Sequence, residues 1–153
     1  MADNAPLNAQ TTRQQMQYLL ELRSYVHEEA GWIRTLTDAI QRGVAGEDTA
    51  TQVGQIVADV SAPYRAEITR LHTLSVPPGC EAVDSALITE MSRAEEYLSA
   101  LSRWVAAGQV GISLLRDNAG EEVHSILQQF VASREAFESA YLEAARLVET
   151  TDA

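Results

Sequence analysis

The chain contains no lysine. Its eleven cationic side chains are all arginine, set against twenty-two acidic ones, and the formal charge is −11 at pH 7. A basic face of the kind that nucleic acid or an anionic membrane surface requires is therefore not expected, and the acidity suits a neutral or basic partner. There is one cysteine, Cys80. A single thiol closes no intrachain disulfide and says nothing about redox compartment. Only His72, across a turn, lies near it, so Cys80 reads as a buried or helix-start thiol and not as a nucleophile. No apolar run approaches the roughly 18 residues that a membrane-spanning helix needs. The first ten residues, MADNAPLNAQ, lack the basic and apolar parts of a signal peptide and read as a flexible N-terminal segment. They fit the start of a cytosolic protein, or a methionine placed on a mature exported domain.

Catalytic signatures are missing too. The sequence has no Gly-x-Ser-x-Gly, no His-Glu-x-x-His, no phosphate-cradling glycine loop and no Cys-x-x-Cys. No catalytic residue and no cofactor is expected, and the reading leans away from an enzyme. Alternating strand patterns are also missing.

What the sequence does have is helical period almost throughout. A first helix is predicted from Thr11 or Thr12, where Thr11-x-x-Gln14 resembles a capping box, to Gly43. Its apolar stripe is Leu19, Leu22, Val26, Ile33, Leu36 and Ile40. A second follows Gly46-Glu-Asp-Thr-Ala and carries Val53, Val57, Val60, Tyr64, Leu71 and Leu74. Val76-Pro-Pro-Gly79 breaks the chain. A third carries Leu87, Met91, Ala94, Leu98, Leu101, Val105, Gly108, Ile112 and Leu115, and Asp117-Asn118 is expected to end it. A fourth carries Val123, Leu127, Phe130, Phe137, Tyr141, Ala144 and Val148. Each predicted helix runs roughly 28–35 residues, or about 45 Å. Short connections make neighbours antiparallel, so residues 11–150 are expected to form a single all-α domain, an antiparallel up-down-up-down four-helix bundle.

A short internal repeat accompanies the stripes. Tyr25 and Trp32 are spaced like Tyr97 and Trp104, and Ala45-Gly46-Glu47-Asp48 has a counterpart in Ala119-Gly120-Glu121-Glu122. Both acidic tetrapeptides are expected to open the second helix of a hairpin. The two tryptophans read as core or helix-interface residues.

The stretch Asn118–His124, NAGEEVH, contains Glu-x-x-His, the spacing that di-iron bundles use twice. Here it occurs once; Glu67 and His72 are offset by five. Helix-start chemistry offers another explanation, with Asn118 as N-cap, Glu121 at the third helical position, and both glutamates near the positive end of the helix dipole. Counting along a folded bundle puts His72 and His124 roughly 14 and 30 Å from His27 in height, too far apart to share a metal. No metal site is expected.

A candidate polar belt remains. Glu29, Glu67 and Glu90 lie on or beside apolar stripes, at heights within roughly 9 Å. Tyr25, Tyr64, Tyr97 and Tyr141 fall in the same zone, with Arg23 and Arg93 nearby. Two readings stand. Each glutamate can be a boundary residue whose neighbour, Ala30, Ile68 or Met91, takes the core place. Alternatively, Glu29, Tyr64, Glu67, Arg93 and Tyr141 form a network or a small ligand-binding site, because buried carboxylates need partners. Pro63 falls at this height, where it should kink the second helix and free the Asp59 carbonyl.

The segments LHTLSVPPGCEAVDSAL, RAEEYLSALSRWVAAG, ILQQF and YLEAARL, between Ser61 and Leu147, together resemble small bacterial exported or lipid-anchored helical bundles of unknown function. That pattern often has a histidine after the proline turn, where this chain has Asp84. The resemblance implies an extracytoplasmic location and carries over no catalytic residue. The expectation is therefore a non-enzymatic extracytoplasmic bundle for binding, sensing or scaffolding, with an unknown protein or small ligand as partner and homo-oligomerisation through an exposed helix face as an option. The alternatives are a ferritin-like metal-carboxylate protein using Glu29, Glu67, Glu90 or Glu121 with His124, and an acidic cytosolic protein-interaction module.

Overall fold

A computed structural model describes residues 4–111 and 113–152. The chain forms four helices: α1 (Asn4–Val44), α2 (Ala50–His72), α3 (Glu81–Val110) and α4 (Ser113–Asp152). Among the described residues there is no strand. Each helix packs against its neighbours in sequence, and α1 also packs against α4, which closes an antiparallel four-helix bundle. No helix among the described residues is long and apolar enough to cross a membrane.

Most seam residues read from the sequence are buried; Val26, Ile33, Ile40, Leu74, Leu127 and Tyr141 are only partly so, and the side chains of Ile112 and Leu115 lie outside the described residues. Leu22 and Leu36 of α1, Val57 and Ile68 of α2, Leu87, Leu98 and Leu101 of α3, and Phe130 and Phe137 of α4 are all buried. Each fully buried side chain of this kind contributes about 1.5–3 kcal/mol. Trp32 and Trp104 are half-buried and pack against this core.

Helix ends depart from expectation in three places. First, α1 starts at Asn4, so Thr11 and Gln14 lie inside it and do not cap it. The capping box belongs to α2. The Gln52 backbone N–H donates to Thr49 Oγ1 at 3.2 Å, and the Thr49 N–H donates to Gln52 Oε1 at 2.8 Å, an arrangement worth about 1 kcal/mol. Second, the helices are unequal, with 41, 23, 30 and 40 residues. Third, α3 ends at Val110, well before Asp117-Asn118. Gly111 supplies the left-handed φ of 77° that stops it, and its N–H donates to the Ala107 carbonyl at 3.2 Å. This is the single-bond left-handed helix cap that glycine favours.

That last shift changes the meaning of NAGEEVH. The stretch lies within α4, so Asn118 is not an N-cap, and Glu121 and Glu122 sit beyond the first turn, where the dipole contact fades. The two acidic tetrapeptides are not equivalent either: Gly46 is in a turn with φ of 76°, whereas Gly120 is inside a helix.

Val76–Gly79 forms the α2–α3 turn, tied to α1 by Gln15 Nε2, which donates to the Pro78 carbonyl at 2.6 Å. Cys80 follows at the start of α3, buried and with no capping hydrogen bond from its side chain. Pro63 lies within α2 on its exposed side, and the carbonyl it leaves unbonded belongs to Asp59, also on the exposed side.

Candidate functional site: a buried carboxyl pair

Tyr25 and Glu29 are one turn apart on the core seam of α1, where helical geometry sets their side chains side by side. Glu90 occupies the seam of α3, between Leu87 and Ala94. Both glutamates are fully buried, at 0% exposure. The Tyr25 hydroxyl lies between them, 2.6 Å from Glu29 Oε2 and 2.8 Å from Glu90 Oε2. Tyr64, on the seam of α2, donates a short hydrogen bond to the same Glu29 oxygen. Arg134, between Phe130 and Phe137 on α4, donates from Nε to Glu29 Oε1 at 3.1 Å. Its guanidinium also lies 3.6 Å from Glu138. Residues of all four helices therefore meet at one level.

Aromatic rings wall this level in. Trp32 stacks on Tyr64 with ring centroids 4.7 Å apart, and Tyr25 meets Tyr64 edge-on at 6.3 Å. Tyr97 packs on Phe130 at 5.5 Å. Two buried polar atoms have no hydrogen-bond partner among the described residues: Glu90 Oε1 and the Tyr97 hydroxyl.

Electrostatics sort the group into roles. Burial first, and then the Glu29 charge, hold the Tyr25 and Tyr64 hydroxyls far above the ordinary phenol range, so both remain neutral donors. Burial alone pushes Tyr97 up to about 12. Glu90 is pushed up to about 10, chiefly by burial and then by its hydrogen bonding to Glu29 and the charge there. Glu29 has two phenols on one oxygen and a guanidinium on the other, whereas Glu90 has only the Tyr25 hydroxyl.

Of the five predicted belt residues, only Glu29 and Tyr64 meet here. Glu67 is partly buried at the bundle's edge, bound by Arg70 at 2.5 Å, and that arginine also reaches Glu21 at 2.8 Å. Ile68 takes the core place beside it. Arg93 pairs with Glu96 at 3.0 Å on the outer side of α3. Tyr141 donates its hydroxyl to the Leu19 carbonyl at 3.2 Å, away from the carboxyl pair. Ala30 is only partly buried, so Glu29 itself holds the core position, while Glu90 and its neighbour Met91 are both buried. Arg134 was missed, although an arginine flanked by Phe130 and Phe137 on an apolar seam is itself a signal for a buried acid opposite.

The carboxylates and histidines considered for metal are dispersed. Glu121, His124, His27 and His72 are all exposed. Glu122 is held by Arg103, and His124 Nε2 lies 3.2 Å from the Gln128 side-chain nitrogen. Among the described residues, no three His, Cys, Asp or Glu gather as a metal site.

Surface clefts lie elsewhere among the described residues, two of them lined largely by apolar side chains. One, of about 400 Å³, runs between Tyr18 and the Leu74–Pro78 turn. The other, of about 270 Å³, is floored by Trp104 and Val53 beside Gly43 and Asp48. Neither reaches the carboxyl pair. Comparison with family models, curated proteins and solved structures found no match to this chain.

Proposed function

We propose that this chain is a non-enzymatic helical-bundle domain that binds, senses or scaffolds through its outer helix faces, outside the cytoplasm. One observation carries the reading: most of the buried polar groups at this level are spent on one another, with Glu90 Oε1 and the Tyr97 hydroxyl unpartnered among the described residues. Glu29 takes Tyr25 from its own helix, Tyr64 from α2 and Arg134 from α4, and Tyr25 passes the contact on to Glu90 of α3. A layer joined in this way fixes helix register, a recognised use of buried polar groups. The recognition chemistry is then left to the outer faces, whose excess of acid suits a basic partner. Placement outside the cytoplasm rests on the sequence resemblance alone.

Elemental analysis and a thermal-shift screen test the proposal together. Protein purified without chelator should carry no stoichiometric metal and respond to no metal or metabolite. Affinity capture should retain a protein whose binding weakens with salt. Stoichiometric iron, manganese or zinc would overturn the reading. So would a metabolite that adds about 2.7 kcal/mol at a hundred times its dissociation constant.

A further inference from the structure

The hydrogen atoms at the buried pair can be counted. Tyr25 has one phenolic hydrogen, yet its oxygen lies within hydrogen-bond distance of both Glu29 Oε2 and Glu90 Oε2. Tyr64 and Arg134 spend their bonds on Glu29. If both glutamates were ionised, Glu90 would face the lone pairs of the Tyr25 oxygen or share its single hydrogen. Its other oxygen, Oε1, would be a bare charge with no donor among the described residues. A proton on Glu90 removes the conflict: Glu90 can donate to Tyr25 or to Glu29, and Tyr25 keeps its own hydrogen for Glu29. The groups facing Glu90 are Tyr25 and Glu29 from α1, Tyr64 from α2 and Arg134 from α4, with unpartnered Tyr97 further along its own helix.

We propose that the folded chain holds one proton on Glu90, between α1 and α3, which the unfolded chain releases, so that the bundle is strengthened by mild acid and loosened by alkali. The sign follows from linkage. An unfolded glutamate gives up its proton above about pH 4.3, whereas the folded one keeps it well beyond. The stabilisation is therefore complete below the unfolded value and is lost progressively as pH rises toward the folded one. Within that window each pH unit shifts the folding equilibrium up to tenfold. The reading stands independently of compartment and of any partner.

Glu90→Gln is the direct test, because the carboxamide copies the neutral acid and can donate to Tyr25 but cannot ionise. Urea unfolding of wild type and variant is measured from about pH 5 to about pH 8, a range in which the unfolded carboxyl is ionised. The −11 chain has a background slope of its own, and the difference between the two proteins isolates the single proton. The expected result is near-equal stability at the acid end, and a ratio of folding constants that moves in favour of the variant by at least threefold per pH unit toward alkali. Parallel pH profiles would overturn the proposal. If Glu90→Gln does not fold, carbon-detected NMR of the wild-type side-chain carboxyls decides. One glutamate carboxyl should keep its protonated chemical shift to about pH 8. Titration of every glutamate in the ordinary acid range would sink the idea.

Discussion

Replacing Arg134 with methionine removes the cation that reaches Glu29 Oε1 while keeping an unbranched side chain at that position of α4. The Glu29 side chain is 1% exposed and that of Arg134 is 25% exposed. Breaking one side of a wholly buried ion pair costs about 3–5 kcal/mol, because the remaining charge has no compensation. Here the guanidinium is a quarter exposed, so water screens part of the interaction, and Glu29 keeps the Tyr25 and Tyr64 donors. The expected loss is therefore about 2–3 kcal/mol. For a domain of this length that corresponds to a fall in Tm of about 5–10 °C. Urea unfolding followed by far-ultraviolet circular dichroism measures it, with an unchanged m value as the check that the same surface unfolds. Adding Glu29→Gln neutralises the stranded charge. The double variant should be more stable than Arg134→Met alone, with a coupling of at least about 1 kcal/mol. Arg134→Met within about 0.5 kcal/mol of wild type, or strictly additive costs, would show that Glu29 does not depend on this cation.

Three further outcomes follow from the same packing. The Tyr97 hydroxyl is buried and unpartnered among the described residues, so Tyr97→Phe should be neutral or stabilising by about 1 kcal/mol; a loss of that size would reveal a bond at the hydroxyl. Two helix-interior glycines should behave oppositely in unfolding assays. At Gly31 an added Cβ meets nothing within 4 Å, so alanine should stabilise by about 0.8–1 kcal/mol. At Gly54 it would lie 2.8 Å from a Val105 methyl, so alanine should cost about 1–2 kcal/mol net. Cys80 is 1% exposed, and burial, with Glu81 alongside, raises its thiol pKa. A disulfide reagent at about pH 8 should label it only as fast as the chain unfolds, and rapid labelling of native protein would contradict that burial.

The fold was legible because all four seams repeat at steps of three and four, and because Gly43–Gly46 and Val76–Gly79 interrupt them. The α3–α4 turn was misread for a related reason. The apolar stripe continues in step through Ile112 and Leu115, so only Gly111 marks the stop, and a glycine within a helical pattern is an ambiguous sign. The three candidate glutamates diverge on local partners. Glu67 has Arg70 one turn on and can be satisfied at the surface without leaving its own helix. Around Glu29, the positions three and four residues away hold Tyr25, Val26, Trp32 and Ile33, none of them cationic. Its counter-charge has to come from another helix, which draws it inward. Arg93 stands one turn from Glu90 yet turns outward to Glu96, a choice that no spacing rule predicts.

The same arithmetic explains how a layer with little net stabilising value can matter to the fold. Compared with well-packed apolar side chains, the Glu29–Arg134 contact contributes little. Its effect falls on the alternatives. If α4 slid by one turn against α1, Phe130 or Phe137 would face Glu29 in place of Arg134. A buried carboxylate would then lack its cation, a penalty of several kcal/mol that no apolar seam imposes on its own slipped forms. Sliding α3 would part Glu90 from the Tyr25 hydroxyl and strand a second carboxyl in the apolar interior. Four seams of similar step admit several packings; the carboxyl pair and its two phenols admit one, and the proton that lets them coexist makes that choice depend on pH.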